Sequence, residues 1–439
     1  AKFIILEQAF LEALHAGDSA AALACLREQL APLGVNPERL HQLAACLMCG
    51  AGPAALPQPS GWQGEPPCDA RHQVLRRLQV VIPPEVMLPE RRLEELVEQA
   101  LVAQIDACCF HNTPAARPSL LSDYTCGTEQ IPTCTTQVLL NHSDEVWHLQ
   151  FSHDGEMLAS CGKDQTAIIW DAGGGARGST VSKRHVLRGH SGPIAFLCWS
   201  PDDSKLATCG EAALGQDALR LWDVASGECL GVLRHHKDPV TCAAWFPDGR
   251  RLVTGSHDKQ LCVVGLDGSV ERQWRIQRIQ EVVVAKGGRY ILATTCERKV
   301  RVYDLEGDSE SYIPEAETLI SMSLSRDGRY LLVNLTSNSM HLWDLGDAPR
   351  EMHLPAMPCA SYQGANQSRF VVRSCLGGLD DRFVLTGSEE CRVYVYHRAT
   401  GERLLSLEGH SGTVNSVAWN PTDPHMFASA SDDKSIHVW

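Results

Sequence analysis

The last part of the chain constrains the fold most strongly. Residues 409–439 begin with Gly409-His410 and end with Trp439. Between these ends lie three short apolar runs that are typical of strands, separated by turn residues at 420–424 and 432–434. Three short strands in one such unit indicate a repeated antiparallel sheet.

The same unit recurs through the second part of the chain. The clearest repeat-opening histidines are His142, His190, His236 and His410. Their first two spacings are 48 and 46 residues, and the remaining gap of 174 residues equals four periods of about 43.5. Seven repeats therefore follow His142, and this period predicts a seven-bladed β-propeller. The repeats end near Asp171, Asp223, Val264, Asp304, Asp344, Tyr396 and Trp439.

The seventh repeat stops before the outermost strand of its blade. Residues 135–140, just ahead of the first repeat, alternate like a strand. We expect this segment to pair with the last repeat, because closure of the ring removes the free sheet edges of an open propeller.

The first part of the chain has helical periodicity. Three helices are predicted in residues 2–49, with Asp18 as the cap of the second and Asn36-Pro37 at the start of the third. A Pro- and Gly-rich loop at 50–69 precedes two further helices, at 71–80 and 90–111.

These patterns divide the chain into three parts. We assign residues 1–111 to an all-α domain, 112–133 to a linker and 134–439 to the all-β propeller. The apolar stripe of the last predicted helix, which includes Leu96 and Leu101, is long for so few helices. We expect part of it to contact another chain or the propeller.

Composition narrows the possible partners and compartment. A net charge of −14 argues against a surface that tracks nucleic-acid phosphates, although it leaves a local basic patch open. The sequence contains no run of 18 apolar residues, so it predicts no membrane span. Many of the 18 cysteines lie in predicted strands, where a thiol acts as a small buried hydrophobe, so we expect the reducing cytoplasm or nucleus. Residue 1 already lies in a helical pattern, which indicates a trimmed N-terminus that leaves an upstream targeting segment open.

Two features of the sequence suggest a metal or a cofactor, but packing explains the cysteine groups better, and a flexible loop before the outer strand explains the glycine-rich segment better. The pair Cys46 and Cys49 and the group around Cys108 and His111 lack further ligands at zinc-site spacing. The glycine-rich segment 171–182 lacks the Gly-Lys-Ser/Thr ending of a phosphate-binding loop and opens no helix. We therefore expect neither a metal nor a cofactor.

A histidine, a hydroxyl and a carboxylate occur together within single repeats, as they do in hydrolases. In the first repeat they are His142, Ser160 and Asp164, followed by Trp170. Related sets in the third and seventh repeats are His236, Thr254 and Asp258, and His410, Ser429, Asp433 and Trp439. An enzyme needs one such set rather than one per repeat, so we expect no catalysis.

This chain resembles WD-repeat proteins, and in that class these residues form a structural hydrogen-bond chain inside each blade. The third repeat lacks the tryptophan, and the fourth and fifth lack the histidine. We expect those blades to be less rigid, because a partly satisfied polar network is weaker than a complete one.

Three stretches before the propeller make the resemblance more specific. They are Leu30-Ala-Pro-Leu33 with the following Glu38-Arg-Leu-His41 and Leu47-Met-Cys49, the run from Ile82 to Leu93, and Cys109-Phe-His-Asn-Thr113. Together with Glu145-Val-Trp147, they resemble the WD-repeat subunit of the CTLH (GID) ubiquitin-ligase complex. The resemblance covers nearly the whole chain, although the family's LisH motif and the first part of its CTLH segment would precede residue 1.

The resemblance implies a non-catalytic scaffold. In that family the helical part joins other CTLH-type helical subunits and self-associates, and the propeller recruits substrates or adaptors, while the RING chemistry resides in other subunits.

The geometry of WD propellers also implies which residues bind. Binding residues cluster on one face around the central channel, flank the first strand of a blade or precede its aspartate. Trp147 and Arg278 rank first, because Trp and Arg are enriched in binding hot spots, although Trp147 packing inside the channel is the alternative. Carried onto this sequence, the set is Glu145, Trp147, Lys163, Thr241, His257, Arg278, Gln280, Glu389, Thr413, Asn415 and Asp432.

Two other functions stay open. A substrate receptor of a cullin-type ligase usually carries Trp-Asp-x-Arg, whereas here Gly173, Ala225 and Gly346 occupy the last position of that motif. A signalling or corepressor scaffold unrelated to ubiquitin is the second alternative.

Overall fold

The structure of this protein is a computed structural model. It describes residues 1–49, 67–82, 91–114, 118–173, 180–211, 219–346, 352, 354–367 and 370–439. The chain forms two compact units, Ala1–Ala103 and Gln104–Trp439. In these described ranges no helix has the length and apolarity needed to span a membrane.

The first unit is helical, as its sequence predicts. Its helices are α1 (Lys2–His15), α2 (Ser19–Ala24), α3 (Pro37–Cys49) and α4 (Pro67–Val81), and a fifth helix, α5 (Arg92–Ala107), extends into the second unit. After α2 the chain continues as a π-helix over Cys25–Leu30 and a 3₁₀ turn over Ala31–Leu33.

The predicted helix caps are present. The Asp18 carboxylate accepts the N–H of Ala21 at 2.9 Å, and the Asn36 side chain accepts the N–H of Arg39 at 3.3 Å. The core of this unit contains Phe10, Leu11, Ala22, Leu26, Leu30 and Leu43.

The second unit contains 28 strands in the described residues. They are β1 (Gln137–Leu139), β2 (Val146–Phe151), β3 (Met157–Gly162), β4 (Thr166–Asp171), β5 (Ser182–Arg188), β6 (Ile194–Trp199), β7 (Lys205–Gly210), β8 (Leu219–Asp223), β9 (Cys229–Leu233), β10 (Val240–Trp245), β11 (Arg251–Ser256), β12 (Gln260–Gly265), β13 (Val270–Arg275), β14 (Ile279–Ala285), β15 (Tyr290–Thr295), β16 (Lys299–Asp304), β17 (Ser309–Pro314), β18 (Leu319–Leu324), β19 (Tyr330–Leu335), β20 (Ser339–Asp344), β21 (Ala360–Gln363), β22 (Ser374–Gly377), β23 (Phe383–Thr386), β24 (Arg392–His397), β25 (Arg403–Glu408), β26 (Val414–Trp419), β27 (Phe427–Ser431) and β28 (Ile436–Val438).

These strands form seven four-stranded antiparallel sheets, which confirms the predicted seven-bladed propeller. Blade 1 contains β2 to β5, and blades 2 to 6 each take the next four strands. Blade 7 consists of β26, β27 and β28, with β1 as its fourth strand. Apolar clusters fill the spaces between successive blades, for example Leu197, Trp199 and Trp222 with residues of blade 1.

The closing strand forms where the sequence predicts it. Val138 lies opposite His437 in an antiparallel pair, and the N–H of Thr136 donates to the carbonyl of Val438 at 2.8 Å. The first strand of the unit and the last strand of the chain therefore share one sheet.

Residues 112–133, predicted as a linker, pack against blades 6 and 7 where they are described. The buried Asn112 amide donates to the carbonyls of Gln130 and Pro424 at 3.0 and 2.6 Å, and it accepts the N–H of Leu379 at 2.9 Å. Ile131 is buried in the same cluster as residues of these blades.

One end of the blades positions the site. Because neighbouring strands are antiparallel, the loop that enters a blade and the turn between its second and third strands lie at the same end. We call this end the entry face. In blade 1 it contains residues 140–145 and 163–165.

Candidate functional site

The site-like set of blade 1 is a buried hydrogen-bond chain. His142 Nδ1 lies 2.8 Å from Asp164 Oδ2, and its Nε2 lies 2.8 Å from Ser160 Oγ. The Trp170 indole N–H donates to the same Oγ at 2.9 Å. In blade 7 the corresponding distances are 3.0, 2.8 and 2.8 Å among His410, Asp433, Ser429 and Trp439.

Electrostatics hold the aspartate of this chain in its charged form. Burial alone would raise the pKa of Asp164, but hydrogen bonds from His142, the Ser143 N–H and Thr166 lower it to about 2. Each polar group of the chain is thus paired within the blade, which suits a structural role.

Blade 3 builds the same chain without the tryptophan. His236 lies 3.0 Å from Asp258 and 2.9 Å from Thr254 Oγ1. The neighbouring His235 Nε2 lies 2.8 Å from the same Oγ1 and takes the place that the indole N–H occupies in blade 1. Burial, helped by His236, lowers the pKa of His235 to about 4.

Blade 5 lacks the histidine and uses a carboxylate instead. The Trp343 indole N–H donates to Glu315 Oε1 at 2.7 Å, and His341 Nδ1 lies 2.9 Å from Glu315 Oε2. The partly satisfied network expected for this blade is therefore completed by a residue of another type.

The entry face opens into a cavity of about 640 Å³ around the propeller axis, to which all seven blades contribute. Of the predicted binding residues, those that line this cavity are Glu145, Trp147, Thr241, His257, Arg278, Gln280, Asn415 and Asp432.

The other three predicted binding residues are outside the lining, and each contacts one of the lining residues. Lys163 Nζ lies 2.8 Å from Glu145 Oε1. The Glu389 carboxylate accepts the N–H of Phe370 at 3.0 Å, and the Thr413 carbonyl accepts the N–H of Asp432 at 3.0 Å.

Sequence reasoning missed part of the lining. Phe370 and Val371 line the cavity with about half of their surface exposed, at 52% and 51%. They lie just before β22, whose repeat has no opening histidine to mark its start. The rule that binding residues flank the first strand could have found them if that start had been located. The other missed lining residues are Ala195, Glu211, Ile279, Glu281, Cys296, Ile320 and Arg373.

A buried ion pair crosses the floor of the cavity. Arg373 Nε lies 3.6 Å from Glu281 Oε1, and the guanidinium stacks over the ring of Phe196 at 5.3 Å. Arg373 also donates to the carbonyl of Trp147 at 3.4 Å, and Glu281 Oε2 accepts the N–H of Met322 at 2.6 Å. These contacts join side chains and backbone of blades 1, 2, 4, 5 and 6, so the floor is tightly cross-linked.

Trp147 is held at the rim by its polar edge. The ring is half-buried, and its indole N–H donates to Glu145 Oε2 at 3.0 Å. The hydrogen bond from Lys163 lowers the pKa of Glu145, whereas burial raises the pKa of Asp432.

In the described ranges, no group of three or more His, Cys, Asp or Glu residues is arranged so that it could hold a metal ion.

The fold and the repeated hydrogen-bond chains define a WD-repeat β-propeller. The WD domain, G-beta repeat family model matches residues 133–171, 181–223, 227–264 and 401–439.

Whole-chain relatives identify the family. The chain is 40% identical to a WD repeat-containing protein 26 homolog from Arabidopsis thaliana, over all of this chain and 72% of the relative. It is 36% identical to the WD repeat-containing protein 26 homolog of Drosophila melanogaster, over all of this chain and 69% of that protein. It is also 36% identical to GID complex subunit 7 of Schizosaccharomyces pombe, over 84% of this chain and 71% of that protein. This chain belongs to the WD-repeat family that contains these proteins.

Proposed function

We propose that this chain is the WD-repeat subunit of a GID/CTLH-type E3 ubiquitin-ligase complex. In this proposal it is a non-catalytic scaffold that recruits protein substrates or adaptors for ubiquitination and proteasomal degradation. The family membership supports the proposal, since one relative is named as a subunit of the GID complex.

The entry-face cavity is the main observation that supports the proposed recruitment of substrates or adaptors. It combines exposed apolar side chains, Phe370 and Val371, with the aromatic Trp147 and the exposed Arg278. Apolar and aromatic anchors within a polar rim are typical of protein-binding hot spots. A cavity lined by every blade suits a chain segment that enters along the propeller axis.

The helices support assembly with other subunits. None of the α5 side chains is buried, and Leu93, Leu96 and Val102 are 77%, 45% and 56% exposed. We propose that this apolar stripe contacts CTLH-type helices of other subunits and of a second copy. The described cysteines are free thiols, which fits the cytoplasm or nucleus as the site of action.

Affinity purification of the full chain from cells, followed by mass spectrometry, tests the assembly. We expect RING-bearing and helical CTLH-type subunits to co-purify. The variant Leu96→Asp/Leu101→Asp should lose them, whereas Glu98→Asp/Gln99→Asp on the same helix should keep them. If the unaltered chain recovers no CTLH-type subunit, the proposal fails.

A second pair of variants tests recruitment in the same experiment. Phe370→Asp/Val371→Asp places charges at the cavity, and it should keep the complex subunits but lose bound substrates or adaptors. Leu230→Asp/Val270→Asp alters two apolar residues of similar exposure on outer strands, and it should lose neither the complex subunits nor the substrates or adaptors. If the cavity variant retained its partners, another surface would recruit them.

A further inference from the structure

The entry face is not evenly charged around the cavity. Blades 3 and 4 contribute four segments to it: the loop at 234–239, the end of β13 with the loop that follows it (275–278), and the turns at 257–259 and 296–298. These segments carry six exposed basic residues, which we call the basic arc: Arg234, Lys237, Lys259, Arg275, Arg278 and Arg298.

Backbone contacts make the basic arc continuous. The N–H of Lys237 donates to the carboxylate of Asp258 at 3.2 Å, which fixes the first loop against the 257–259 turn. The N–H of Ile276 donates to the carbonyl of Lys259 at 2.9 Å, which joins that turn to the next loop. Pairing of β14 with β15 then brings Arg278 beside the last turn.

The arc's positive charge is not neutralised within the fold. Among the described residues, none of the six side chains forms an ion pair. Two of the three carboxylates in the same segments are engaged elsewhere, since Asp258 pairs with His236 and Glu297 pairs with Lys299 and Arg301. Asp238 is the third. A chain with a net charge of −14 thus presents a locally cationic rim.

The opposite side of the cavity has the opposite charge. Asp432 and Glu145 line the cavity on blades 7 and 1, and Glu389 and Glu390 lie in the adjacent turn of blade 6. Lys163 offsets part of this charge through its contact with Glu145. A ligand that crosses the cavity therefore meets cations on one side and mostly carboxylates on the other.

We propose that the basic arc binds an acidic segment, rich in Asp and Glu, of the protein that the entry-face cavity recruits. The inference rests on the proposed function, because it extends the same site outward from the cavity over blades 3 and 4. Arg278 belongs to both, so a chain anchored in the cavity can continue directly onto the arc. The charge difference across the cavity then also sets the direction in which the segment lies.

A protein segment fits this surface better than a nucleic acid. A nucleic acid carries a phosphate at every step and needs a continuous cationic track. Here Glu211 on blade 2 and Glu317 on blade 5 border the arc, and the acidic rim faces it across the cavity. A polypeptide can place carboxylates over the arc and other side chains elsewhere.

Fluorescence anisotropy with the full chain tests the proposal. The probe is a labelled deca-glutamate peptide, with deca-lysine and a single-stranded DNA of ten nucleotides as comparisons. The variant Lys237→Glu/Lys259→Glu/Arg275→Glu reverses three arc charges outside the cavity lining. The matched control, Lys183→Glu/Arg250→Glu/Arg403→Glu, reverses three exposed charges at the opposite ends of the blades.

We expect deca-glutamate to bind the unaltered chain and the control equally, and to bind the arc variant about tenfold more weakly. Binding should also weaken between about 50 and about 200 mM salt, because these charges are exposed. Equal binding to the arc variant, or no binding to the unaltered chain, overturns the inference. Tighter binding of the DNA through the same three residues also overturns it, in favour of a nucleic acid.

Failure of this inference can be told apart from failure of the proposed function. Loss of co-purifying partners in Phe370→Asp/Val371→Asp reports on the cavity, which the arc variant leaves intact. The cavity variant could lose its partners while deca-glutamate binds the arc variant as tightly as the unaltered chain. In that case recruitment by the cavity is supported, and binding of an acidic segment by the arc is not.

Discussion

Neighbouring residues in the turn between the second and third strands of a blade have opposite roles. In blade 7, Asp433 lies in the buried chain 3.0 Å from His410. Asp432, one position earlier, lines the entry-face cavity and accepts a hydrogen bond from Asn415 at 2.7 Å. Blade 3 repeats this division, with the cavity-lining His257 before Asp258. In blade 1 the residue before Asp164 is Lys163, which contacts the lining residue Glu145.

The difference shows that surroundings, not residue type, decide the chemistry of these two carboxylates. Burial raises the pKa of both, but at Asp433 the hydrogen bonds with His410 and Ser435 outweigh it, and the pKa is lowered. At Asp432 burial prevails over the bond from Asn415, and the pKa is raised. Asp433 is bonded within the blade, whereas Asp432 lines the cavity and is the residue for which we propose a binding role.

The largest expected effect comes from weakening the pairing of β1 with β28, which closes the propeller ring that holds the buried residues and the cavity residues in place. Trp439 donates its N–H to Phe427 on the β27 side of β28, so the alternate residues Ile436 and Val438 face β1. Leu139 lies opposite Ile436, and its N–H therefore faces β28. Leu139→Pro removes that donor and should lower the free energy of unfolding by about 3 kcal/mol or more beyond the loss in Leu139→Ala. Leu139→Ala is the matched control, because it removes part of the same buried side chain but keeps the donor. Urea unfolding followed by tryptophan fluorescence measures both.

Removal of the shared hydroxyl of a buried chain should have the next largest effect. Ser429→Ala leaves His410 and Trp439 without their common partner, and Thr254→Val does the same to His235 and His236. Each should lower the free energy of unfolding by about 1–3 kcal/mol.

The exposed Ser411→Ala provides the control for these two variants and should change stability by less than about 0.5 kcal/mol. If Thr254→Val hardly changed the free energy of unfolding, the hydrogen-bond chain of blade 3, which lacks the tryptophan, would not stabilise the protein.

Acid should weaken blades 3 and 1 in separate pH ranges. Burial lowers the pKa of His235 from 6.5 to about 4, so its contribution is complete above pH 6.5 and is lost as the pH falls towards 4. The pKa of Asp164 is lowered from 3.8 to about 2, so its contribution is lost only between those values. His235→Gln should make the stability curve less steep between pH 6.5 and 4 than it is in the unaltered chain. An identical slope in the variant and the unaltered chain would contradict this assignment.

Repeat spacing was enough to predict the ring and its closing strand, because both follow a fixed register. The resemblance to WD-repeat proteins implied the hydrogen-bond chains of blades 1 and 7. The residues that replace missing members of these hydrogen-bond chains could not be predicted from the spacing. His235 and Glu315 replace the lost members from outside the repeat positions. Arg373 meets Glu281 although the rest of blade 4 and the whole of blade 5 lie between them in the sequence. Such pairs form between side chains that the closed ring brings together, so no local sequence pattern predicts them.

The adjacent pair in blade 7 gives the most direct test of the claim that the entry face binds while the buried chains stabilise. Asp432→Asn and Asp433→Asn are equal in size and remove one charge each, so unfolding and partner capture can be compared in both variants at a temperature where both are folded. We expect Asp433→Asn to lower the free energy of unfolding by about 1–3 kcal/mol with capture unchanged, and Asp432→Asn to weaken capture several-fold with stability nearly unchanged. Equal losses of capture in the two variants, or a loss of stability confined to Asp432→Asn, would contradict it.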